Sequence, residues 1–395
     1  MRQISFHKPY ITDDEISEVV SALKSGWLTM GPNTFRFEEK FSNYIGAKYA
    51  IAVNSCTSAL HLVLKAIDLK QGDEVLVPAM TFTATSEVVC YLDAKPVLVD
   101  VEKDTMNIDP IKIENGRGKD WHVEKTKAII PVHYGGLPCD MDAVKQVAER
   151  YHLKIIEDAA HALPAWYKGR KVGTIGDLTC FSFYATKTLT TGEGGMITTE
   201  NDEWARQIKI LRLHGISTDA WDRYSVEGSW YYEVVEPGFK YNTTDIQSAL
   251  GLAQLRKLEW MWERRRAIAK KYTEAFESID EISTLPPKQD RESAWHLYVI
   301  KLNLELLNVD RNLFIEELKE KGIGTSVHFI PLYRHPFYRN KYGYSAEEFE
   351  NSEWLYERII SLPIYPGMSD GDVDYVINAV CSLVKRYQKC KIAVG

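Results

Sequence analysis

An α/β architecture with a mostly parallel sheet, followed by a smaller α+β part, is predicted by two features of the sequence. Between residues 50 and 200, short apolar runs alternate with helical patterns. Strands that take turns with helices build parallel sheets with helices on both faces. After residue 240 that alternation stops, and a long helical pattern gives way to mixed strands and helices. The 395 residues suffice for a large domain and a smaller one, expected at 1–250 and 251–395.

The strand-like runs are AIAV (50–53), EVLVP (74–78), PVLVD (96–100), AIIPV (128–132), KIIED (154–158), CFSFY (180–184) and GMITT (195–199). Helical stretches such as TSALHLVLKAI (57–67) and MDAVKQVAERYH (141–152) lie between several of them. In the second, Met141, Val144 and Val147 recur at helical spacing. Further on, the pattern predicts one long helix from Thr244 to about Ile279, which serves as the joint between the domains. A strand at WHLYVIKL (295–302), a helix at NLFIEELKEKG (312–322) and an apolar strand at TSVHFIP (325–331) follow. Sheets of this kind bind ligands at the carboxyl ends of their strands.

Composition narrows the partners. A formal net charge of -7 argues against nucleic acid or an anionic membrane surface, both of which need a basic face. No uncharged apolar stretch is long enough to span a bilayer. The opening MRQISFHKPYITDDE has no apolar run of the kind a secretion signal needs, so none is expected there. The cysteines, Cys56, Cys90, Cys139, Cys180, Cys381 and Cys390, include no CxxC pair and no zinc-like cluster, so no metal site is expected. Scattered thiols fit a reducing cytosol.

Four features bear on chemistry. Asp158 closes the run LKIIED, and Lys187 follows CFSFYAT, so both emerge at the same edge of the sheet if their strands run parallel and close. A lysine there, ahead of the glycine-rich TTGEGG (190–195), can form a Schiff base with an aldehyde cofactor. A carboxylate can keep the pyridine nitrogen of such a cofactor protonated, which lets the ring accept carbanion electrons. NSCTSAL (54–60) follows a strand and opens a helix, where small hydroxylated residues and free amides can hold a phosphate. Phe82, in PAMTFTATSE, stands just past another strand, where its ring can stack on a flat heteroaromatic group. Each has an ordinary alternative: a helix cap at Asp158, Ser55 or Thr57, a solvated loop lysine at Lys187, a core ring at Phe82. Their joint order along this alternating pattern outweighs those alternatives.

That order resembles the sugar-nucleotide aminotransferases of the DegT/DnrJ/EryC1/StrS family, a branch of the fold-type I pyridoxal-phosphate enzymes. The resemblance covers nearly the whole chain and is densest at IIEDAAHA (155–162) and FSFYATKTLTTGEGGMI (181–197). It implies that Lys187 is the Schiff-base lysine and proton shuttle, and that Asp158 meets the pyridine nitrogen of pyridoxal 5'-phosphate. It implies further that His161 sits beside the phenolic oxygen, that Phe82 stacks on the ring, and that Cys56 (through its backbone), Thr57, Ser58 and Ser182 cradle the phosphate. Asn242, in KYNTTD, matches an asparagine that reaches the cofactor phosphate of a neighbouring subunit, which implies a homodimer with shared active sites. Thr29, Tyr184 and His328 match positions near the sugar, and Arg212 and His214 are weaker candidates for the nucleotide side. Histidine at 161, where many relatives carry glutamine, looks like members that act on UDP-linked 4-keto sugars. Tyr184 and Pro164 depart from the family pattern, where histidine and glycine are common, and put the sugar's identity in question.

The implied reaction is ping-pong transamination from an amino acid, expected to be glutamate, to a nucleotide-linked keto sugar. A sugar dehydratase with the same cofactor and a non-catalytic sensory relative are the competing readings within the family. Dehydratases that work without the lysine carry histidine at its position, so Lys187 argues against them. A nicotinamide dehydrogenase needs GxGxxG after an early strand, which NSCTSAL is not.

Overall fold

The computed structural model describes residues 2–116, 120–217, 231–286 and 288–389, so Cys390 lies outside the described residues. A seven-stranded sheet runs in the order β1 (Tyr49–Val53), β9 (Gly195–Thr199), β8 (Leu178–Ser182), β5 (Lys154–Asp158), β4 (Thr126–Ile129), β2 (Glu74–Pro78) and β3 (Lys95–Val99). The pairs from β8 through β5, β4 and β2 to β3 are parallel, and only β9 is antiparallel to its neighbours. Each strand-like run of the sequence falls on one of these strands. The runs are continuous because both faces are buried. Val75 and Val77 pack into one core with Ile156 and Cys180, while Leu76 and Ile155 pack into the other with Phe37, Phe41 and Phe181.

A second sheet joins β10 (Ile282–Thr284), β12 (Tyr298–Leu302) and β13 (Ile359–Leu362), and a small one joins β11 (Arg291–Glu292), β6 (Trp166–Tyr167) and β7 (Arg170–Lys171). The second sheet shares its core with helices Leu258–Phe276, Arg311–Glu320 and Asp370–Tyr387, and with Ile4 from the amino-terminal segment.

Two expected elements differ. The single helix from Thr244 is two, Asp245–Arg256 and Leu258–Phe276, broken at Lys257 (φ -111°, ψ 7°). The Lys257 ammonium reaches back to Thr12 (2.7 Å) and Glu15 (2.8 Å), long-range partners that helical periodicity does not report. TSVHFIP is not a strand: it makes one bridge, Ser326 to Ser361. Its polar groups are satisfied by side chains instead, since the Tyr134 hydroxyl donates to the His328 carbonyl and the His328 ring pairs with the Ser361 hydroxyl at 2.9 Å.

Successive residues of β5 face opposite sides of the sheet. Glu157, next to Asp158, is fully buried against His133 Nε2 at 2.9 Å, and it also accepts from Gly176 N–H and the Thr179 hydroxyl, both at 2.8 Å. Burial alone would raise its pKa, but the His133 bond and these donors together hold it below the usual range. Deleting one partner of such a pair strands a buried charge. His133→Ala is expected to lower unfolding free energy by about 3–5 kcal/mol, read from urea titration. A loss under about 1 kcal/mol, the level of an exposed pair, would contradict this role.

Candidate active site

The carboxyl ends of β5 and β8 meet because the strands are parallel neighbours, with Asp158 opposite Cys180. The chain leaving β8 is pinned as a tight loop. Thr191 N–H donates to the Phe183 carbonyl at 2.9 Å, Thr190 Oγ1 to the same carbonyl at 3.1 Å, and the Thr188 hydroxyl to the Leu163 carbonyl. Leu189 is buried beneath it. This holds Lys187, itself half-buried, over the sheet edge. Burial lowers its pKa to about 8, while Cys56 and Asp158 pull the other way.

Lys187 and Asp158 line one cavity of about 450 Å³. Cys56, Thr57, Phe82, His161, Ser182, Tyr184 and His328 line it too. Ser58 does not. Its hydroxyl closes a capping box with Ser55 and donates to Asn54 Oδ1 at 2.6 Å, so Ser55 lines the cavity in its place. Asn242 and Thr29 are not among the residues that line this cavity. Asn242 pairs with Val53 at the end of β1, and Thr29 is exposed. Arg212 is structural: buried, it binds Glu38 and the Ala52 carbonyl, while His214 is exposed and does not line the cavity.

The structure adds residues that pattern reading did not single out. Thr85 donates to Asp158 Oδ2 at 2.8 Å and shares a 2.9 Å bond with Thr81; Ala160 N–H donates to Oδ1 at 3.1 Å. Phe6, His7, His296 and Phe329 complete the walls. The TFTATSE hydroxyls were the visible signal for Thr85, and the histidines gave none beyond their identity. The His161 Nδ1 accepts from Gly135 N–H at 3.2 Å, and its ring stacks near Phe329 at 5.8 Å. Burial, then the charges of Lys187 and His328, push its pKa well below the usual range. A neutral imidazole that accepts at Nδ1 carries its proton on Nε2 and donates there.

These residues fit pyridoxal 5'-phosphate. At one end, the helix Cys56–Ala66 opens with Ser55, Cys56 and Thr57 on the cavity, and anions favour such termini. Gly195 packs so closely there that a Cβ would lie 2.6 Å from the Ser55 carbonyl oxygen and 2.8 Å from Cys56 N. Asp158 is buried with only a hydroxyl and an amide as donors, and burial pushes its pKa up. A cation placed against it relieves that cost. Phe82 leaves 58% of its surface uncovered although it lies on the cavity wall, so a flat ring can cover it. Cys56 is no nucleophile: burial and the Asp158 charge raise its thiol well above the usual range.

A lysine, a buried carboxylate and a phosphate-binding helix start around one cavity define a pyridoxal-phosphate enzyme of the α/β aminotransferase class. The chain belongs to the DegT/DnrJ/EryC1/StrS aminotransferase family, which it matches over residues 9–381. It is 57% identical to the uncharacterized protein MJ1066 of Methanocaldococcus jannaschii over 95% of this chain and 96% of that one. It is 49% identical to the spore coat polysaccharide biosynthesis protein SpsC of Bacillus subtilis over 97% of each. Its fold matches the putative sugar aminotransferase Spr1654 from Streptococcus pneumoniae in the PMP form, with a TM-score of 0.90 and 36% identity over 97% of this chain and 100% of that one. The same protein in its PLP form matches equally, with a TM-score of 0.90. The cofactor is pyridoxal phosphate and the protein is a sugar aminotransferase. Among the described residues, no helix is long and apolar enough to cross a membrane.

The lowered lysine pKa has a visible consequence. Above about pH 8 the Lys187 amine is neutral and nucleophilic; below it the ammonium is not. Cofactor added to stripped protein is therefore expected to react faster as pH rises and to level off above about pH 8, followed as return of the yellow colour. A rate still climbing toward about pH 10.4, the ordinary lysine value, would contradict the burial of this amine. The unfolded chain holds more protons between those limits, so this group also makes stability rise with pH across them.

Proposed function

We propose that the protein transfers the amino group of glutamate to the ketone of a nucleotide-linked keto sugar, a UDP-4-keto-6-deoxyhexose, in two half-reactions on one cofactor. The observation that carries this reading is that Lys187 and the buried Asp158 line a single cavity. The bound cofactor supplies an electron sink for the carbon that loses or gains a proton. Lys187, its amine pKa near 8, moves that proton as general base and then as general acid. Asp158, held by Thr85 and Ala160 N–H, would keep the cofactor's ring nitrogen protonated. His161, with Nδ1 held by Gly135 N–H, would offer its Nε2 proton to the cofactor's ring oxygen, and Phe82 would pack on the ring. The amides at the start of helix Cys56–Ala66, with Thr57 and Ser182, hold the phosphate. Tyr184 and His328, on the cavity wall, face the sugar.

The working unit is a cytosolic homodimer. Asn242 and Thr29, outside their own cavity, act on the partner's cofactor and sugar. Each protomer works as a large part, 1–250, and a smaller part, 251–395. Histidine at 161 and the likeness to SpsC, named for polysaccharide biosynthesis, support a sugar acceptor.

The test is spectroscopic and then preparative. Glutamate is expected to bleach the yellow holoenzyme, and the bleached enzyme is expected to aminate a UDP-4-keto-6-deoxyhexose. A holoenzyme that glutamate leaves unchanged, or one that yields no amino sugar from any keto-sugar nucleotide, rules the reading out.

A further inference from the structure

We infer that Ser361 is a positioning residue for the sugar half-reaction: its hydroxyl donates to Nδ1 of His328 and so holds that imidazole with its Nε2 proton in the cavity, as a hydrogen-bond donor to an oxygen of the keto sugar. This deepens the function proposed above and rests on it.

His328 belongs to TSVHFIP, a segment that sheet pairing orders only through the bridge from Ser326 to Ser361. Three contacts fix the residue instead. The Tyr134 hydroxyl holds its main-chain carbonyl, and Tyr134 is itself buried with its N–H on Asn107 Oδ1 at 2.9 Å. Phe6 stacks on the imidazole, with centroids 5.5 Å apart and planes at 26°. Ser361 Oγ lies 2.9 Å from Nδ1. The first contact fixes the backbone and the second covers one face. Only the third tells one edge of the ring from the other.

The direction of the Ser361 bond follows from burial. Ser361 sits in β13, 1% exposed, and its main-chain N–H and carbonyl are both bonded to Ser326. Its hydroxyl has no partner but His328 among the described residues. A buried hydroxyl proton without an acceptor is costly, so the hydroxyl donates and Nδ1 accepts. Burial, then the charge of Lys187, lowers the His328 pKa to about 4, so the ring is neutral at ordinary pH. A neutral imidazole that accepts at Nδ1 carries its proton on Nε2. That nitrogen bonds to nothing among the described residues, and, unlike His296 Nδ1 or His7 Nε2, it is not sealed from solvent. His328 lines the cavity, so the free donor is offered there.

The place of His328 favours the larger substrate. Its neighbours Val327 and Phe329 line an open groove of about 780 Å³, which shares Thr81, Phe82 and Phe329 with the cofactor cavity. An amino acid fits beside Lys187 within the cavity. A nucleotide-linked sugar extends beyond it, and His328 stands on that border.

In Ser361→Ala, the concentration of keto-sugar nucleotide that half-saturates the pyridoxamine form is expected to rise about 3- to 10-fold, the size of one neutral hydrogen bond. Bleaching by glutamate should be unchanged, which also shows that the variant is folded. Ser361→Thr keeps the hydroxyl and should recover most of the loss. His328→Phe should lose more, and adding Ser361→Ala to it should cost nothing further, because a positioning residue acts only through the group it holds. In protein labelled with nitrogen-15 at histidine, the His328 signals, assigned by their loss in His328→Phe, should show the Nε2–H tautomer alone in the wild type and a mixture in Ser361→Ala. The inference is overturned if Ser361→Ala leaves the sugar half-reaction unchanged, if it weakens both half-reactions alike, if its loss adds in full to that of His328→Phe, or if the tautomer does not change. If the wild type aminates no keto-sugar nucleotide, the proposed function falls, and the tautomer alone then decides whether Ser361 holds the ring.

Discussion

Lys187→Ala is expected to lower the transamination rate by about 10⁴-fold or more. General acid–base catalysis alone is worth about 10²–10⁴-fold, and loss of the covalent anchor adds to that. The loss should fall on turnover, because the remaining cavity still offers Asp158, His161, Phe82 and the helix start to the cofactor. The variant should therefore bind pyridoxal phosphate without the yellow colour of the lysine-linked form. Added methylamine should restore a small part of the proton transfer, since the space vacated opens on the same cavity. Steady-state amination of the sugar nucleotide, with absorption spectra of both proteins, decides it. An alanine variant with more than a tenth of wild-type turnover would require another group to move the proton, and no other lysine lines this cavity among the described residues.

Asp158→Asn is expected to cost about 10²–10³-fold in kcat, the range for removing one preorganised charge from a buried site. The amide keeps the size; its one oxygen can accept from Ala160 N–H while its NH2 donates to the Thr85 hydroxyl, so the fold around the strand end should survive. What it cannot do is hold a proton on a ring nitrogen. Because Asp158 is buried and its own pKa is pushed up, its ionised state depends on a cation opposite, and the coupling works both ways. The variant should bind the cofactor more weakly and show a shifted absorption maximum. Equal kcat in the two proteins would remove Asp158 from the chemistry and leave it as a buried acceptor for Thr85 and Ala160 N–H.

The fold and half of the site were legible because their determinants are local. KIIED and CFSFY are runs that only a doubly covered sheet buries, and such a sheet delivers the residues at their ends, Asp158 and Lys187, to one edge. Phe82 and the NSCTS turn follow the same rule at β2 and β1. What stayed hidden depends on distant partners. Ser58 looks like a phosphate ligand by type, but its hydroxyl is consumed by Ser55 and Asn54 within its own turn. His7 arrives from the amino-terminal segment and His296 from the approach to β12, and neither adjoins a strand end of the large sheet. The break at Lys257 is set by Thr12 and Glu15, more than two hundred residues away in the chain. Arg212 reads as a ligand in LRLHG until its partner, Glu38, is seen in the core.

The most direct measurement is to reduce the yellow holoenzyme with borohydride, digest it and sequence the labelled peptide by mass spectrometry. A phosphopyridoxyl group is expected on Lys187, within the peptide spanning FSFYATK, and on no other residue at stoichiometric level. A label on a different lysine, or no label on protein saturated with the cofactor, contradicts it.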